Sequence, residues 1–478
     1  MADAVRRAID GQFKMHALSL KRDALAFCVE ILVDVDKARR MSSGVVDKNA
    51  VSNAIGELST TQKSTQLLTV HDISSCPLWE ISPSGVSVID RLPHSSSSAN
   101  LLTYALRQRF LLVYQRVVRR MRLSTVESLL GGGPSSDFFL LGLLSKLTDS
   151  YWVEDATGSC PLVVNLETVV FHEGVFAEGS VLLFRGSYDG TNLIVKEVAL
   201  PPRETADETR KALGDANWFG GPDRVCFRMN KLLRGHDSSH WIILLSDVHL
   251  DNPKVLDALN LLFSGYAEIA PKAFVLCGDF ASGNDVEEGF VRLAALLKQY
   301  RSSFAGTRFI FVPGPRDPPS TPFLPRPPLS AASVGALAQQ SNCSFVSNPC
   351  RLQFINQEIV VFRGNTAERM CNLAMQAPSK ENSIADQVSL TILSNGHLSP
   401  VPPSIQPVIW SQDSFLRLHP LPDLLILADR CSSFVSSDND CLVANPGSFR
   451  PRGIKKRFEF LAYQPMSRTL EPSALSLS

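Results

Sequence analysis

Apolar residues recur in three rhythms along this chain. In residues 1–75 they fall at helical spacing. Ser19 is placed to cap a helix carrying Ala24, Phe27, Cys28, Ile31 and Leu32 on one face, and a second helical stretch runs from Lys48 to Leu58. Helices this short need each other or a partner for burial, so a structural bundle and a docking module both remain open. Pro93 to Asn100, with four serines in a row, reads as a linker. A long amphipathic helix is predicted from Asn100 to Arg122, carrying Arg107, Arg109, Arg116, Arg119, Arg120 and Arg122. It reads either as a solvated face packed on its apolar side or as a contact for nucleic acid or an acidic partner. The run Gly131 to Ser136 breaks the chain.

The rhythm then changes to short strands: Phe138–Leu144, Tyr151–Glu154, Cys160–Asn165, Ser180–Arg185 and Leu193–Ala199, with turn signals at Asp155–Gly158 and Tyr188–Thr191. Five such strands in 137–202 suit a small Greek-key barrel such as an OB-fold. Tyr151, Trp152, Phe171 and Tyr188 are available to stack on bases or to fill the core.

Residues 203–239 form a connector. From 240 to 478 the third rhythm alternates continuous apolar runs with helices, as strands buried on both faces require. Trp241–Leu245 ends in Ser246-Asp247-Val248-His249, and a helix carrying Val255, Leu256, Leu259, Leu261 and Leu262 follows. Ala273–Cys277 ends in Gly278-Asp279 before a helix over Val286–Tyr300. Arg308–Val312 ends in Pro313-Gly314-Pro315-Arg316-Asp317, and the proline-rich segment to Pro328 is an extended loop. Polar residues at the carboxyl ends of successive buried strands mark the cleft of an α/β sheet. The expected fold is therefore multidomain: a small N-terminal helical domain (1–75), a linker with an amphipathic helix (76–136), a barrel, a connector and an α/β sandwich.

Composition narrows the function classes. The chain has 478 residues, 44% hydrophobic and 20% charged, enough for two to four domains with real cores. Lys plus Arg equals Asp plus Glu, at 47 each. That zero balance argues against an autonomous DNA binder and for protein partners, or DNA contact from a local patch only. The ten cysteines include no C-x-x-C pair, which disfavours structural zinc, and they read as small buried hydrophobes of a reducing compartment. No signal-like segment and no long apolar span are found, so a cytosolic or nuclear location and no membrane contact are expected.

The strand-end residues carry the chemistry. Asp247-x-His249, Gly278-Asp279 and a third motif framed by Gly314 and Asp317 resemble calcineurin-like metallophosphoesterases. In that family two metals need a bridging carboxylate and flanking imidazoles. Here Pro315 stands at the metal-binding Asn, and Arg316 stands at the catalytic His, where it can neither ligate nor shuttle a proton. His397, in Leu-Ser-Asn-Gly-His, is a candidate for one later ligand. The closing Gly-His-x-His is replaced by Ala428-Asp429-Arg430-Cys431, so Asp429 and Cys431 are also disabled positions. Asp247, His249 and Asp279 remain as remnant ligands. Either a single weak metal sits there, or Arg316 neutralises the carboxylates in its place.

An OB-fold beside such a domain resembles the B subunits of replicative DNA polymerases. The stretches 217–222, 245–251, 312–318, 324–329, 347–351, 396–400, 420–425 and 445–449 sharpen the resemblance to polymerase epsilon. The N-terminal part is similar to the C-terminal helical part of AAA+ proteins. The resemblance implies a nuclear, non-catalytic scaffold with no cofactor and no catalytic residue. It would bind the C-terminal domain of the catalytic subunit, and its N-terminal domain would reach the replicative helicase assembly. The small histone-fold subunits would be met indirectly, and DNA within the complex. Two alternatives stand beside it: an active metal-dependent phosphodiesterase or nuclease using Asp247, His249 and Asp279, and an independent single-stranded DNA binder.

Overall fold

The computed structural model describes residues 67–73, 76–82, 85–89, 98–213, 219–220, 240–281, 283, 286–438, 440–451 and 457–477. The expected N-terminal helices lie outside the described residues. The chain divides into two units: 1–69 with 223–237 and 354–356, and the remainder. Of the first unit, Ile355 N–H donates to the Leu67 carbonyl.

The second unit opens with the end of β1 (Leu68–His71), where the His71 ring bonds Gln353. An antiparallel hairpin follows, β2 (Leu78–Ser82) and β3 (Gly85–Ile89), in a segment expected to be linker. Helix α1 (Ser98–Val118) then lies where the basic amphipathic helix was expected. Its apolar face joins Trp79 and Ile81 of the hairpin in one cluster with Leu112, Val113 and Val117. The short helix α2 (Val126–Gly132) is fixed by a reciprocal cap between Thr125 and Ser128. Two of the glycines expected to break the chain extend this helix, and the break falls at Gly133, with φ 76°.

The barrel consists of β4 (Ser135–Leu147), β5 (Ser150–Glu154), β6 (Ser159–Val163), β8 (Val181–Tyr188) and β9 (Leu193–Ala199), with a two-residue strand β7 (Val170–Phe171) on its edge. The order β6-β5-β4-β8-β9 closes through a parallel β6–β9 pairing, which makes it an OB-type barrel. Burial alternates along β8 and β9, and Leu140, Leu144, Val153, Phe184, Leu193 and Val198 fill the interior. Helix α3 (Ala206–Leu213) occupies part of the expected connector.

The α/β domain holds two sheets. Strands β10 (Ile242–Leu245), β11 (Ala273–Cys277), β12 (Arg308–Val312) and β13 (Cys343–Phe345) run parallel, with β10 flanked by antiparallel β19 (Arg457–Gln464) and then β20 (Thr469–Ser476). The second sheet orders β14 (Cys350–Phe354), β15 (Gln357–Phe362), β16 (Leu424–Leu427), β18 (Cys441–Asn445) and β17 (Phe434–Asp438). One face of the first sheet packs on α4 (Pro253–Tyr266) and α5 (Val286–Gln299) through Ile243, Leu245, Phe274 and Phe309. One face of the second packs on α7 (Ile384–Asn395), which follows α6 (Thr366–Asn372). The opposite faces are equally buried, and Tyr463 of β19 donates across to Gln357 of β15. This is a sandwich of two sheets between helices, and the apolar runs are continuous because neither strand face meets water.

Candidate functional site: a strand-end cluster filled by arginine

Five parallel strands, β10, β11, β12, β15 and β16, deliver residues at their carboxyl ends: Asp247, Asp279, Arg316, Arg363 and Arg430. Asp247 adopts φ 56°, a left-handed conformation that Asp tolerates better than most residues. Backbone crowding sets the next two turns. A Cβ on Gly278 would lie 1.8 Å from the Asp317 carboxylate, and one on Gly314 would lie 2.4 Å from that of Asp279. Both positions must be glycine for the strands to end side by side. Asp317 lies between these turns as a structural acceptor. Its oxygens take the Phe280 and Gly314 N–H groups, each at 2.7 Å.

Arg363 sits at the centre of the cluster, with its side chain wholly buried. Its Nε donates to the Gly278 carbonyl, and one terminal nitrogen donates to Gly364 and Ala428 carbonyls at 2.8 and 2.7 Å. The other terminal nitrogen binds Asp247 Oδ1 and lies 3.7 Å from Asp279 Oδ2. One guanidinium thus bridges two carboxylates and three strand-end carbonyls with its full donor fork. Asp279, itself fully buried, also accepts the Arg316 backbone N–H at 2.9 Å on Oδ1. Its Oδ2 accepts from both Arg316 Nε and Arg430, each at 2.7 Å. Burial alone would raise its pKa, but Arg363 and the bonds from Arg316 and Arg430 outweigh burial and hold it at about 2.

A two-metal centre does not fit these residues. The cation between Asp247 and Asp279 is the Arg363 guanidinium, which cannot be displaced without a large loss. Among the described residues, no group of three or more His, Cys, Asp or Glu side chains is arranged to hold a metal. His249 is buried, with Nδ1 3.9 Å from Asp251 Oδ1, and burial lowers its pKa. Pro315 brings no side-chain ligand. Asp429 is turned to the start of α6, where Oδ2 accepts the Ala367 N–H at 2.8 Å. Cys431 Sγ accepts from Asn445.

The assignment of His397 as a later ligand of this cluster is corrected by the structure. Gly396 ends α7 with φ 61°, and the backbone of His397 bridges to Arg417. Its Nδ1 accepts the Ser399 N–H, and its Nε2 lies 3.3 Å from Asp413 Oδ1. Asp413 gathers a second buried cluster. Arg109 of α1 reaches it at 2.9 and 2.5 Å, and Arg417 at 3.3 Å. Burial pushes the His397 pKa down to about 4.

That cluster also changes the reading of the basic helix. Arg109 and Arg116 are buried, the latter donating to the Ser394 carbonyl. Arg119 pairs with Glu204, and Arg120 lies 3.9 Å from Glu208. In the barrel, Tyr188 is buried, Tyr151 and Phe171 pack against the core, and Trp152 is half-buried. Of the four, only Tyr188 is fully buried. No described helix is long and apolar enough to cross a membrane.

Sequence reasoning missed Arg363. The signal was there: Gln357–Phe362 is an apolar run ending in Arg363-Gly364, the same strand-then-polar pattern that marked Asp247 and Asp279.

Comparisons with known proteins cover the chain from end to end. The family model for the B subunit of DNA polymerase alpha/epsilon matches residues 242–436. That for the DNA polymerase epsilon subunit 2-like OB-fold domain matches 99–202, and that for the DNA polymerases epsilon N terminal matches 1–43. A probable DNA polymerase epsilon subunit 2 from Caenorhabditis elegans is 34% identical, covering 100% of this chain and 95% of the relative. DNA polymerase epsilon subunit 2 from Homo sapiens is 30% identical, with 97% of each covered. The B subunit of DNA polymerase epsilon from Arabidopsis thaliana is 29% identical over 98% of this chain and 99% of its own. With its barrel, its sandwich and its N-terminal segment each matched, this chain belongs to the family of DNA polymerase epsilon B subunits.

Proposed function

We propose that this chain is a non-catalytic scaffold of the polymerase epsilon holoenzyme. In this reading it binds the C-terminal domain of the catalytic subunit, and its N-terminal region reaches the replicative helicase assembly in the nucleus. The histone-fold subunits are met indirectly. The observation that carries it is the Arg363 guanidinium, bonded to Asp247 and 3.7 Å from Asp279. A metal-dependent phosphoesterase would keep those carboxylates for metal. Here they hold strand ends together, which serves a rigid platform and not a reaction. The zero net charge supports a protein partner over DNA as the main source of affinity.

The test is co-expression with the C-terminal domain of the catalytic subunit. A single gel-filtration peak containing both chains is expected, and two separate peaks would sink the proposal. The same sample, assayed for phosphodiesterase activity with manganese, is expected to match its Asp279→Ala variant. Hydrolysis abolished by that change would mean that the cluster still does chemistry.

A further inference from the structure

A groove in the sandwich lies away from the carboxylate cluster. It has a volume of about 670 Å³ and reaches Phe309, in the first turn of β12, and Asn342, just before β13. Those are the amino ends of parallel strands, so the groove borders the opposite end of the sheet from Asp247 and Asp279. One wall is the C-terminal end of α5. One face of that helix holds Phe290, Leu293 and Leu297 in the core. Another face shows Val291, Ala295 and Lys298, at spacing i, i+4 and i+7, with Val291 63% exposed. The other wall is the helical turn Gly335–Gln339, anchored in the same core by Leu337 and open at Ala336. Leu297, Phe304 and Phe309 make an apolar floor. The walls are low because Ala294, Ala295, Ala305 and Ala336 are small.

Charge says what fits there. Lys298 and Arg301 also line the groove, both exposed, and no Asp or Glu lines it among the described residues. Neither cation makes an ion pair with a described residue. A lysine in a last helical turn complements the macrodipole, which accounts for Lys298 alone. It does not account for a second cation beyond the helix end, or for alanine at four wall positions, where longer side chains would fill the space. The complement is a set of apolar knobs flanked by negative charge. Single-stranded nucleic acid meets only the second half. Tyr300 already stacks on Phe304, and its hydroxyl is bonded to Asn260 at 2.7 Å. Two cations are also too few to track a phosphate backbone. An amphipathic helix meets both halves, because small wall residues let it approach closely and its ridge of side chains seats between two helical walls.

We propose that this groove docks an acidic amphipathic helix of a partner protein, with apolar side chains over the alanines and carboxylates on Lys298 and Arg301. The proposal goes beyond the scaffold reading, and its test uses no polymerase subunit.

The probe is a fluorescein-labelled peptide of about four helical turns, with leucine at i, i+3, i+4 and i+7 and glutamate or alanine elsewhere. It is titrated with the full chain and followed by anisotropy. One control scrambles the sequence, which keeps the charge and loses the apolar face. The other replaces every glutamate by lysine. Saturable binding of the first peptide is expected, at least tenfold tighter than of either control. Lys298→Glu combined with Arg301→Glu, and separately Ala295→Arg, are each expected to weaken it at least tenfold. All three side chains are exposed, so Tm should stay within about 1 °C of wild type. Carbodiimide coupling gives a second readout, a direct link between Lys298 and a peptide glutamate. No binding, equal binding of either control, or binding that survives both variants would overturn the proposal. Displacement by an equal concentration of oligothymidylate would assign the groove to nucleic acid and overturn it too. Any of these beside intact co-elution with the C-terminal domain of the catalytic subunit would remove this groove's role and leave the scaffold reading standing.

Discussion

Arg363 and Asp317 are both buried in one cluster, but removing each has a different consequence. Arg363 balances two buried carboxylates. Arg363→Ala leaves Asp247 and Asp279 facing each other with less compensation, and such breaks cost about 3–5 kcal/mol. A clear fall in the urea midpoint is expected, and an unchanged midpoint would show that Arg316 and Arg430 suffice. Asp317 is the opposite case. Burial pushes its pKa up to about 6 although two backbone N–H groups bond it. A carboxyl whose folded pKa lies above its unfolded value binds more protons when folded. Its contribution is therefore greatest below about pH 4 and declines as pH rises towards 6. Asp317→Asn removes that titration, so the difference in unfolding free energy between variant and wild type should change between pH 4 and 6. Parallel pH profiles would refute the assignment.

Among the elements, α1 shows how far pattern alone can mislead. Its helical period was legible, and so was its run of arginines. Which arginines faced water was not, because their buried partners lie far away in sequence: Asp413 is 304 residues from Arg109, and the Ser394 carbonyl 278 from Arg116. The same holds for His397, whose motif suggested a ligand and whose ring belongs to Asp413. The five barrel strands and the first three strands of the sandwich were legible, since alternation and continuous apolar runs are local signals, but the sandwich strands from β13 onward were not read. The hairpin β2–β3 was hidden in a segment that ends in a serine-rich tract. Arg109, Arg417 and His397 converge on one carboxylate, so Asp413→Ala should destabilise more than Arg109→Ala. The double variant should fall short of additivity, with a coupling of about 0.5–3 kcal/mol. Additive losses in urea unfolding would mean that Arg109 is held by its stem alone.

At the scale of the whole molecule, charge and burial point the same way. The chain carries 47 positive and 47 negative side chains. Within α1, Arg109 and Arg116 are buried, and just beyond its end Arg119 pairs with Glu204. Binding to DNA through phosphates requires several cations free to displace counterions, and each neutralised phosphate adds to the salt slope. Arg107, Arg120 and Arg122 are exposed on and just beyond that helix, Arg120 lying 3.9 Å from Glu208, which limits its contribution to a shallow dependence. Through this helix, binding to duplex or single-stranded DNA is therefore expected only at low salt, with a slope of no more than about two or three phosphates and release by about 150 mM. Fluorescence anisotropy across a salt series measures this directly. A steep slope with binding retained at physiological salt would require a basic surface that these arginines do not provide. It would move DNA from a neighbour within the holoenzyme to a direct ligand of this subunit.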